Sequence, residues 1–166
     1  MHDFAEKSAE RLGFRPGDPI EPLVAKLRGH INLRSPTFAD DEVPESIRVA
    51  PDGTFQIFVS SMTSAERNRF TIAHELGHLL LHFPLIKRID EGAGMVATRW
   101  VDENDPNQKR AEWEANWFAA AFLMPATAFQ QALATRGSLK SVANFFGVSA
   151  RAAEVRLETL GSAELI

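Results

Sequence analysis

The chain has 166 residues, of which 45% are hydrophobic and 24% charged, and its formal net charge is −4. This length and composition predict one soluble domain with a hydrophobic core, and the negative charge argues against non-specific binding to nucleic acid. The chain has no cysteine, which excludes disulfides and thiolate ligands, and it has no tyrosine. We find no apolar run long enough to span a membrane and no signal-peptide pattern, so we expect a cytoplasmic protein.

The N-terminal third of the sequence predicts two short helices followed by a β-hairpin. Residues 3–12 have helical periodicity and stop at Gly13, and residues 19–29 suit a second short helix. The extended runs that flank Pro51-Asp52-Gly53 predict a hairpin, because proline fixes φ and glycine tolerates positive φ in the turn. The second run, residues 55–61 (FQIFVSS), is the strongest strand signal in the chain.

A long helix is predicted to begin near residue 63. Thr63 and Glu66 form a capping-box pattern at its start, and Pro84 is expected to end the helix after Phe83. The acidic segment 84–104 that follows is expected to be a long loop.

The remaining sequence predicts further helices. Asp105 and Pro106 supply an N-cap and a first-turn proline for a helix that continues to about Leu123. Met124-Pro125 then starts another helix, and the tail predicts two short helices joined at Gly147. The elements together predict an α+β fold, in which a small antiparallel sheet with a β-hairpin packs on a helical core. We expect a single domain made of residues 1–62, 63–136 and 137–166.

The segment TIAHELGHLLLHF, residues 71–83, contains the pattern HExxH as His74-Glu75-Leu76-Gly77-His78. Side chains four residues apart share one face of a helix, so His74 and His78 can reach one metal ion. Glu75 can then act as a general base on a water that the metal activates. The surrounding residues are apolar, and a buried His-Glu-His group without a metal carries a large desolvation cost. The pattern therefore predicts a metal site.

His82 lies on the same helical face but is too distant to complete that site. It is eight residues from His74, which is about 12 Å along a helix, and one ion cannot bridge that gap. The alternative in which a glycine bends the chain requires HExxHxxGxxH, and leucines occupy the relevant positions here. We interpret His82 as a residue that orients a ligand histidine, packs beside it, or lines the cleft.

The third ligand is expected in the segment EWEANWFAAAFLMP, residues 112–125. Glu112 and Asn116 are four residues apart and share a face, whereas Glu114 is about 200° round the helix from Glu112. This geometry favours Glu112 as the carboxylate ligand and Asn116 as the acceptor for the other ring N–H of a ligand histidine. A solvated Glu112, paired with Arg110 or unpaired, is the alternative.

These segments, with RNRFTIAHELGHLLLH before them and more loosely VANFFGVSARAAEVRLETLG after them, resemble the ImmA/IrrE family of metallopeptidases. The resemblance covers roughly the last hundred residues. It implies a gluzincin-like zinc peptidase in which His74, His78 and Glu112 bind the metal and Glu75 is the catalytic base. It also implies a bacterial or phage cytoplasmic protein that cleaves a helix-turn-helix repressor of the Xre type and so releases stress-response or mobile-element genes.

The chain departs from related peptidases at two points. Asn116 stands where many gluzincins have an aspartate, and there is no tyrosine to stabilise the oxyanion. That role then falls to His2, His30, His82, an arginine or backbone N–H groups. Zinc is the expected metal, although two nitrogens and one oxygen also accept Mn²⁺ or Fe²⁺.

An extended substrate is expected to pair with an edge strand before the active-site helix. The candidate is the segment of Phe55, Gln56, Ile57 and Phe58, and the alternative is that this strand is protected inside the fold.

Two other functions compete with the peptidase. The tail 138–160 imitates a DNA-binding helix-turn-helix, but it has only Lys140, Arg151 and Arg156 as basic residues. We therefore favour a helical hairpin that packs on the core through Val142, Phe145, Phe146, Val155 and Leu157. The second alternative is a module that keeps the motif and binds a partner without cutting it.

Overall fold

The computed structural model describes residues 2–35, 45–98, 102 and 104–163. Among these residues, no helix is both long and apolar enough to cross a membrane. The strands are β1 (Gly29–Arg34), β2 (Glu45–Val49), β3 (Phe55–Ser60) and β4 (Met95–Thr98). The helices are α1 (His2–Leu12), α2 (Glu21–Lys26), α3 (Ala65–Gly77), a π-helical turn (His78–His82), α4 (Phe83–Ile89), α5 (Pro106–Leu123), α6 (Ala126–Arg136), α7 (Leu139–Phe146) and α8 (Ala150–Ala163). The predicted α+β class is confirmed.

The four strands form one mixed sheet in the order β1-β3-β2-β4. β2 and β3 make the predicted hairpin, with Ile47 opposite Ile57 and Gly53 at a φ of 82° in the turn. β4 extends the sheet antiparallel to β2. β1 pairs with β3 in parallel, with Gly29 opposite Phe55, so the prediction of a wholly antiparallel sheet is wrong at this pair.

β3 is an inner strand, and the prediction that it is a substrate-binding edge is wrong. Its neighbours β1 and β2 use the hydrogen-bonding groups on its two sides. Phe55, Ile57 and Phe58 are buried in the core, and Gln56 is exposed on the sheet. The edges of the described sheet are instead β1 and β4.

The predicted long helix differs from expectation at both ends. Ser64, not Thr63, caps α3, because the Ser64 hydroxyl accepts a hydrogen bond from the Arg67 N–H at 3.3 Å. Pro84 does not end the helical segment. It lies in the first turn of α4, where its missing N–H costs nothing, and the π-helical turn precedes it.

The segment 84–104 is only partly a loop. Its beginning belongs to α4, and β4 occupies residues 95–98. Residues 99–101 and 103, also within the predicted loop, lie outside the described residues.

The helix α5 begins as predicted and packs closely against α3. The Asp105 carboxylate accepts hydrogen bonds from the N–H groups of Asn107 and Gln108 at 2.8 and 3.3 Å. At the crossing of the two helices, a Cβ added to Gly77 would lie 3.1 Å from Ala115 Cα. Gly77 thus permits the close approach that brings the α3 and α5 side chains together.

A second contact joins the two ends of the chain. The Arg156 side chain is buried, with only 1% of the residue exposed. Its Nε donates to the Met124 carbonyl at 2.9 Å, its Nη1 meets His2 Nδ1 at 2.7 Å, and its Nη2 donates to Glu6 Oε1 at 3.0 Å. We call these residues the Arg156 cluster; it holds α8 to α1 and to the end of α5.

The tail forms the predicted helical hairpin, with Gly147 at a φ of 65° between α7 and α8. Val142 and Phe146 are buried as predicted, whereas Phe145, Val155 and Leu157 are 36–42% exposed. Burial of Arg156 removes one of the three basic residues that a DNA-binding tail would use. These contacts favour the packing interpretation over DNA recognition.

Candidate metal centre

The structure brings three of the predicted residues to one point between α3 and α5. His74 lies on α3, His78 begins the π-helical turn, and Glu112 lies on α5. His74 Nε2 is 3.2 Å from Glu112 Oε2, and His78 Nε2 is 3.1 Å from Glu112 Oε1. The two histidine Nε2 atoms are 3.0 Å apart. The two histidines face different oxygens of Glu112, and one ligand atom from each of the three residues lies within 4.8 Å of the others. Bonds of about 2.0–2.1 Å in tetrahedral geometry separate neighbouring ligand atoms by about 3.3 Å, so the group is of a size to hold one zinc ion.

Asn116 has the position that helical spacing predicts for it. Its Oδ1 lies 3.0 Å from His74 Nδ1. An amide oxygen only accepts, so His74 Nδ1 carries the hydrogen and, in the neutral ring, the lone pair lies on Nε2. That lone pair points towards Glu112 and His78, which is the orientation that a metal ligand needs.

His82 is not part of the three-residue group, as its spacing predicts. It contacts the other nitrogen of His78, with the two Nδ1 atoms 3.0 Å apart. Its Nε2 lies 3.2 Å from Glu114 Oε2, and Arg110 Nε donates to Glu114 Oε1 at 2.8 Å. The sequence argument correctly separates Glu114 from Glu112 but misses the contact between Glu114 and His82.

The charges at the site favour a bound cation. Burial opposes ionisation of Glu112, but the interactions of its carboxylate with the rings of His74 and His78 outweigh burial and lower the pKa of Glu112 to about 2. Burial also lowers the pKa of His74, yet the Glu112 hydrogen bond and the nearby Glu75 charge raise it overall. For His82, burial is the larger effect, and its pKa falls. Glu112 is therefore an ionised carboxylate between two imidazoles, as a metal site requires.

Glu75 lies beside this group and faces a cavity. It is 97% buried, with a relative exposure of 3%. A cavity of about 270 Å³ is bordered by His74, Glu75, Glu112 and Arg67, together with Ser46 and Thr98 from the sheet. Glu75 thus borders a space large enough for water and a substrate group.

Two more cavities extend this cleft. One of about 290 Å³ borders His78 and His82 and is lined by β4, Gln108, Ala111 and Glu112. The other is a groove of about 770 Å³ between α3, α5 and α8, and it shares Arg67, Phe70, Thr71 and Asn116 with the Glu75 cavity. β4 borders the site on the sheet side, where the sequence argument expected β3.

The proposed oxyanion-stabilising residues have separate positions. His2 belongs to the Arg156 cluster and lines the large groove. His30 is on β1, the opposite edge of the sheet from β4. Arg67 lines the same cavity as Glu75, a placement that its sequence position did not reveal.

Comparison with known proteins agrees with this geometry. Residues 37–158 match the Peptidase_M78 family model, described as the IrrE N-terminal-like domain. No curated protein matches significantly. A solved structure of a Mycobacterium tuberculosis transcriptional regulator is similar in fold, with a TM-score of 0.56 and 20% sequence identity. The match covers 92% of this chain and 44% of that protein, so this chain spans less than half of its length.

Proposed function

Because this chain belongs to the Peptidase_M78 family, we propose that it is a zinc-dependent endopeptidase that cleaves a helix-turn-helix repressor of the Xre type. Cleavage would release stress-response or mobile-element genes from repression. The observation that carries the proposal is the convergence of His74, His78 and Glu112 at 3.0–3.2 Å, with Glu75 at the adjoining cavity.

Each residue has a role that follows from its position. His74, His78 and Glu112 would hold the metal, which supplies Lewis-acid polarisation of a carbonyl and acidification of a water. The Glu75 carboxylate takes a proton from the attacking water and returns it to the nitrogen of the leaving amine. Arg67, in the same cavity, supplies positive charge for the carbonyl oxygen in place of the absent tyrosine.

An extended substrate would pair with β4. Among the described strands β4 has one neighbour, β2, and its other side is an edge. Thr98 of β4 lines both cavities that flank Glu112. A peptide that adds to this edge passes the metal residues and the Glu75 cavity, so main-chain hydrogen bonds can position its scissile bond.

The large groove would receive apolar side chains of the same substrate. Trp113, Trp117 and Val155 line it and are 42–60% exposed. Arg67 and Arg151 also line it, and among the described residues its lining contains no carboxylate. A substrate segment that combines large apolar residues with acidic ones therefore fits this surface.

The test is cleavage of candidate repressors from the same genome, each co-expressed with wild type or with Glu75→Gln. We expect wild type to produce a new N-terminus in one repressor, identified by mass spectrometry. Glu75→Gln should retain zinc and bind the repressor but leave it intact.

Other outcomes identify a different function. Equal binding by both proteins without cleavage would support a module that sequesters its partner. Cleavage by Glu75→Gln at the wild-type rate would remove Glu75 from the mechanism. Neither binding nor cleavage of any repressor by the zinc-loaded protein would overturn the proposed partner class.

A further inference from the structure

The two histidines of the metal group are oriented by different partners. His74 Nδ1 meets an amide oxygen, that of Asn116. His78 Nδ1 instead meets a second imidazole, that of His82, whose other nitrogen contacts the Glu114 carboxylate. An imidazole can donate or accept at either nitrogen, so the His78 contact alone leaves the position of the hydrogen undefined.

Glu114 resolves this choice. An ionised carboxylate only accepts, and Glu114 already accepts from Arg110 Nε at 2.8 Å through its other oxygen. His82 Nε2 must therefore carry a hydrogen and donate to Glu114 at 3.2 Å. The neutral His82 ring then has its lone pair on Nδ1, where it accepts a hydrogen bond from the Nδ1–H of His78.

The position of this hydrogen determines which nitrogen of His78 can bind a metal. With the hydrogen on Nδ1, the neutral His78 ring has its lone pair on Nε2. That atom is 3.1 Å from Glu112 Oε1 and 3.0 Å from His74 Nε2, at the point where the three side chains converge. The hydrogen-bond chain from Glu114 through His82 thus selects the histidine tautomer that can bind a metal.

The backbone between His78 and His82 supports the same arrangement. This turn is π-helical, and the Phe83 N–H bonds to the His78 carbonyl. Pro84 gives a reason for the wider turn, because in a regular α-helix its ring would clash with the carbonyl four residues before it. The turn places the His78 and His82 ring centroids 5.1 Å apart, with His82 beside α5 and Glu114.

We propose that His82 and Glu114 are positioning residues, which hold His78 in the tautomer and ring orientation that present Nε2 to the metal. The proposal rests on the metal-binding part of the proposed function and adds two residues that do not touch the metal. It requires no particular substrate.

The first measurement is the tautomer of His78 in the zinc-free full-length protein, from the nitrogen-15 chemical shifts of its ring. We expect the hydrogen on Nδ1 in wild type. In His82→Phe and Glu114→Ala we expect a substantial Nε2–H population, because the chain that fixes the hydrogen is broken. Glu154→Ala is the matched control, since Glu154 also pairs with an arginine on a helix surface but lies on α8.

The second measurement is zinc affinity by competition with a chromophoric chelator. Loss of a residue that orients a ligand histidine typically weakens metal binding by about 10–100-fold, and we expect this for both variants. Glu114→Gln should lose less, because its amide oxygen still accepts from His82. Glu114→Ala removes a partly exposed side chain, so it provides a folded variant if His82→Phe does not fold.

The outcomes separate this proposal from the proposed function. An unchanged His78 tautomer and unchanged zinc affinity in both variants would overturn the positioning role. A wild type that shows the Nδ1–H tautomer but binds no zinc would contradict the metalloenzyme and leave the hydrogen-bond chain intact. Normal zinc binding without peptidase activity would contradict only the proposed reaction.

Discussion

Two groups of polar side chains are buried between the helices, and they differ in whether the protein completes their interactions. In the Arg156 cluster, one guanidinium donates in three directions and finds an acceptor in each: Met124 O, His2 Nδ1 and Glu6 Oε1. Its positive charge has the Glu6 carboxylate as partner. This cluster contains both its cation and its acceptors, so we interpret it as structural.

In the metal group of His74, His78 and Glu112, the side chains converge on one point. The outer nitrogens of both rings are engaged, and the inner nitrogens converge with an ionised carboxylate. Burial lowers the pKa of His74, but the Glu112 hydrogen bond and the Glu75 charge outweigh it and raise the pKa overall, so the group favours positive charge. Both groups are buried, so the charges distinguish them: the Glu6 carboxylate is paired with the Arg156 guanidinium, whereas the Glu112 carboxylate faces two imidazoles.

The largest expected effect is on zinc binding, which should be lost when a carboxylate is removed from the metal group but not when one is removed from the Arg156 cluster. Glu112→Ala should lose zinc affinity by more than about 100-fold, since removal of a ligand exceeds the effect of removing a residue that orients one. Glu6→Ala removes a carboxylate from the Arg156 cluster and should retain about one zinc per chain. Elemental mass spectrometry on protein purified without a histidine tag measures both. Loss of zinc from Glu6→Ala, or its retention in Glu112→Ala, would break the distinction between the two groups.

The second-largest effect is expected in the free energy of unfolding, when the Arg156 cluster is disrupted. Arg156→Met should lower the free energy of unfolding by about 3 kcal/mol, because it leaves buried acceptors without their donor. Partial exposure of Glu6 keeps the loss at the lower end for buried ion pairs. Urea denaturation measures the change, and the double variant Arg156→Met with Glu6→Met should recover part of it. A loss below about 1 kcal/mol would mean that the cluster is not structural.

A related prediction concerns zinc as a stabilising ligand. At free zinc of about 100 times Kd, wild type should gain about 2.7 kcal/mol in the free energy of unfolding. Arg156→Met should gain a similar amount from its lower starting point, whereas Glu112→Ala should gain little. Thermal denaturation with zinc and with a chelator tests this. A zinc-dependent gain in Glu112→Ala equal to that of wild type would place the stabilising metal elsewhere.

The sequence predicted the metal group more completely than the rest of the site. His74, His78, Glu112 and Asn116 lie on two regular helices, where spacing determines which side chains share a face. The helical angle also separated Glu114 from Glu112 correctly. The partner of Glu114 was missed because the π-helical turn, which straight-helix geometry does not anticipate, places His82 beside it.

The fold shows the same division between local and long-range information. The hairpin, the start of α5 and the end of α7 follow from residues such as Gly53, Asp105 and Gly147, which act on their immediate neighbours. The position of β3 inside the sheet depends on its parallel pairing with β1, and no local pattern encodes that partner. The Arg156 cluster joins residues 150 or more positions apart in two of its contacts, so it was also missed.

The smallest expected effect is a pH dependence within the Arg156 cluster. Burial, and then the charge of Arg156, lower the pKa of His2 below its ordinary value of 6.5. The unfolded chain therefore binds the proton more readily than the folded one, so His2 costs stability as pH falls below 6.5 and costs none well above it. The ring is partly exposed and solvent screens the interaction, so we expect about 0.5 kcal/mol.

This effect is measured as a difference between variants, so that the contributions of all other titrating groups cancel. Urea denaturation at pH 7.5 and 5.5 should show a smaller loss on acidification in His2→Gln than in wild type. His30→Gln, on the exposed side of β1, should behave as wild type. Equal losses in all three proteins would show that protonation of His2 is not coupled to folding. The Arg156 cluster would then owe its stability to Glu6 and the Met124 carbonyl.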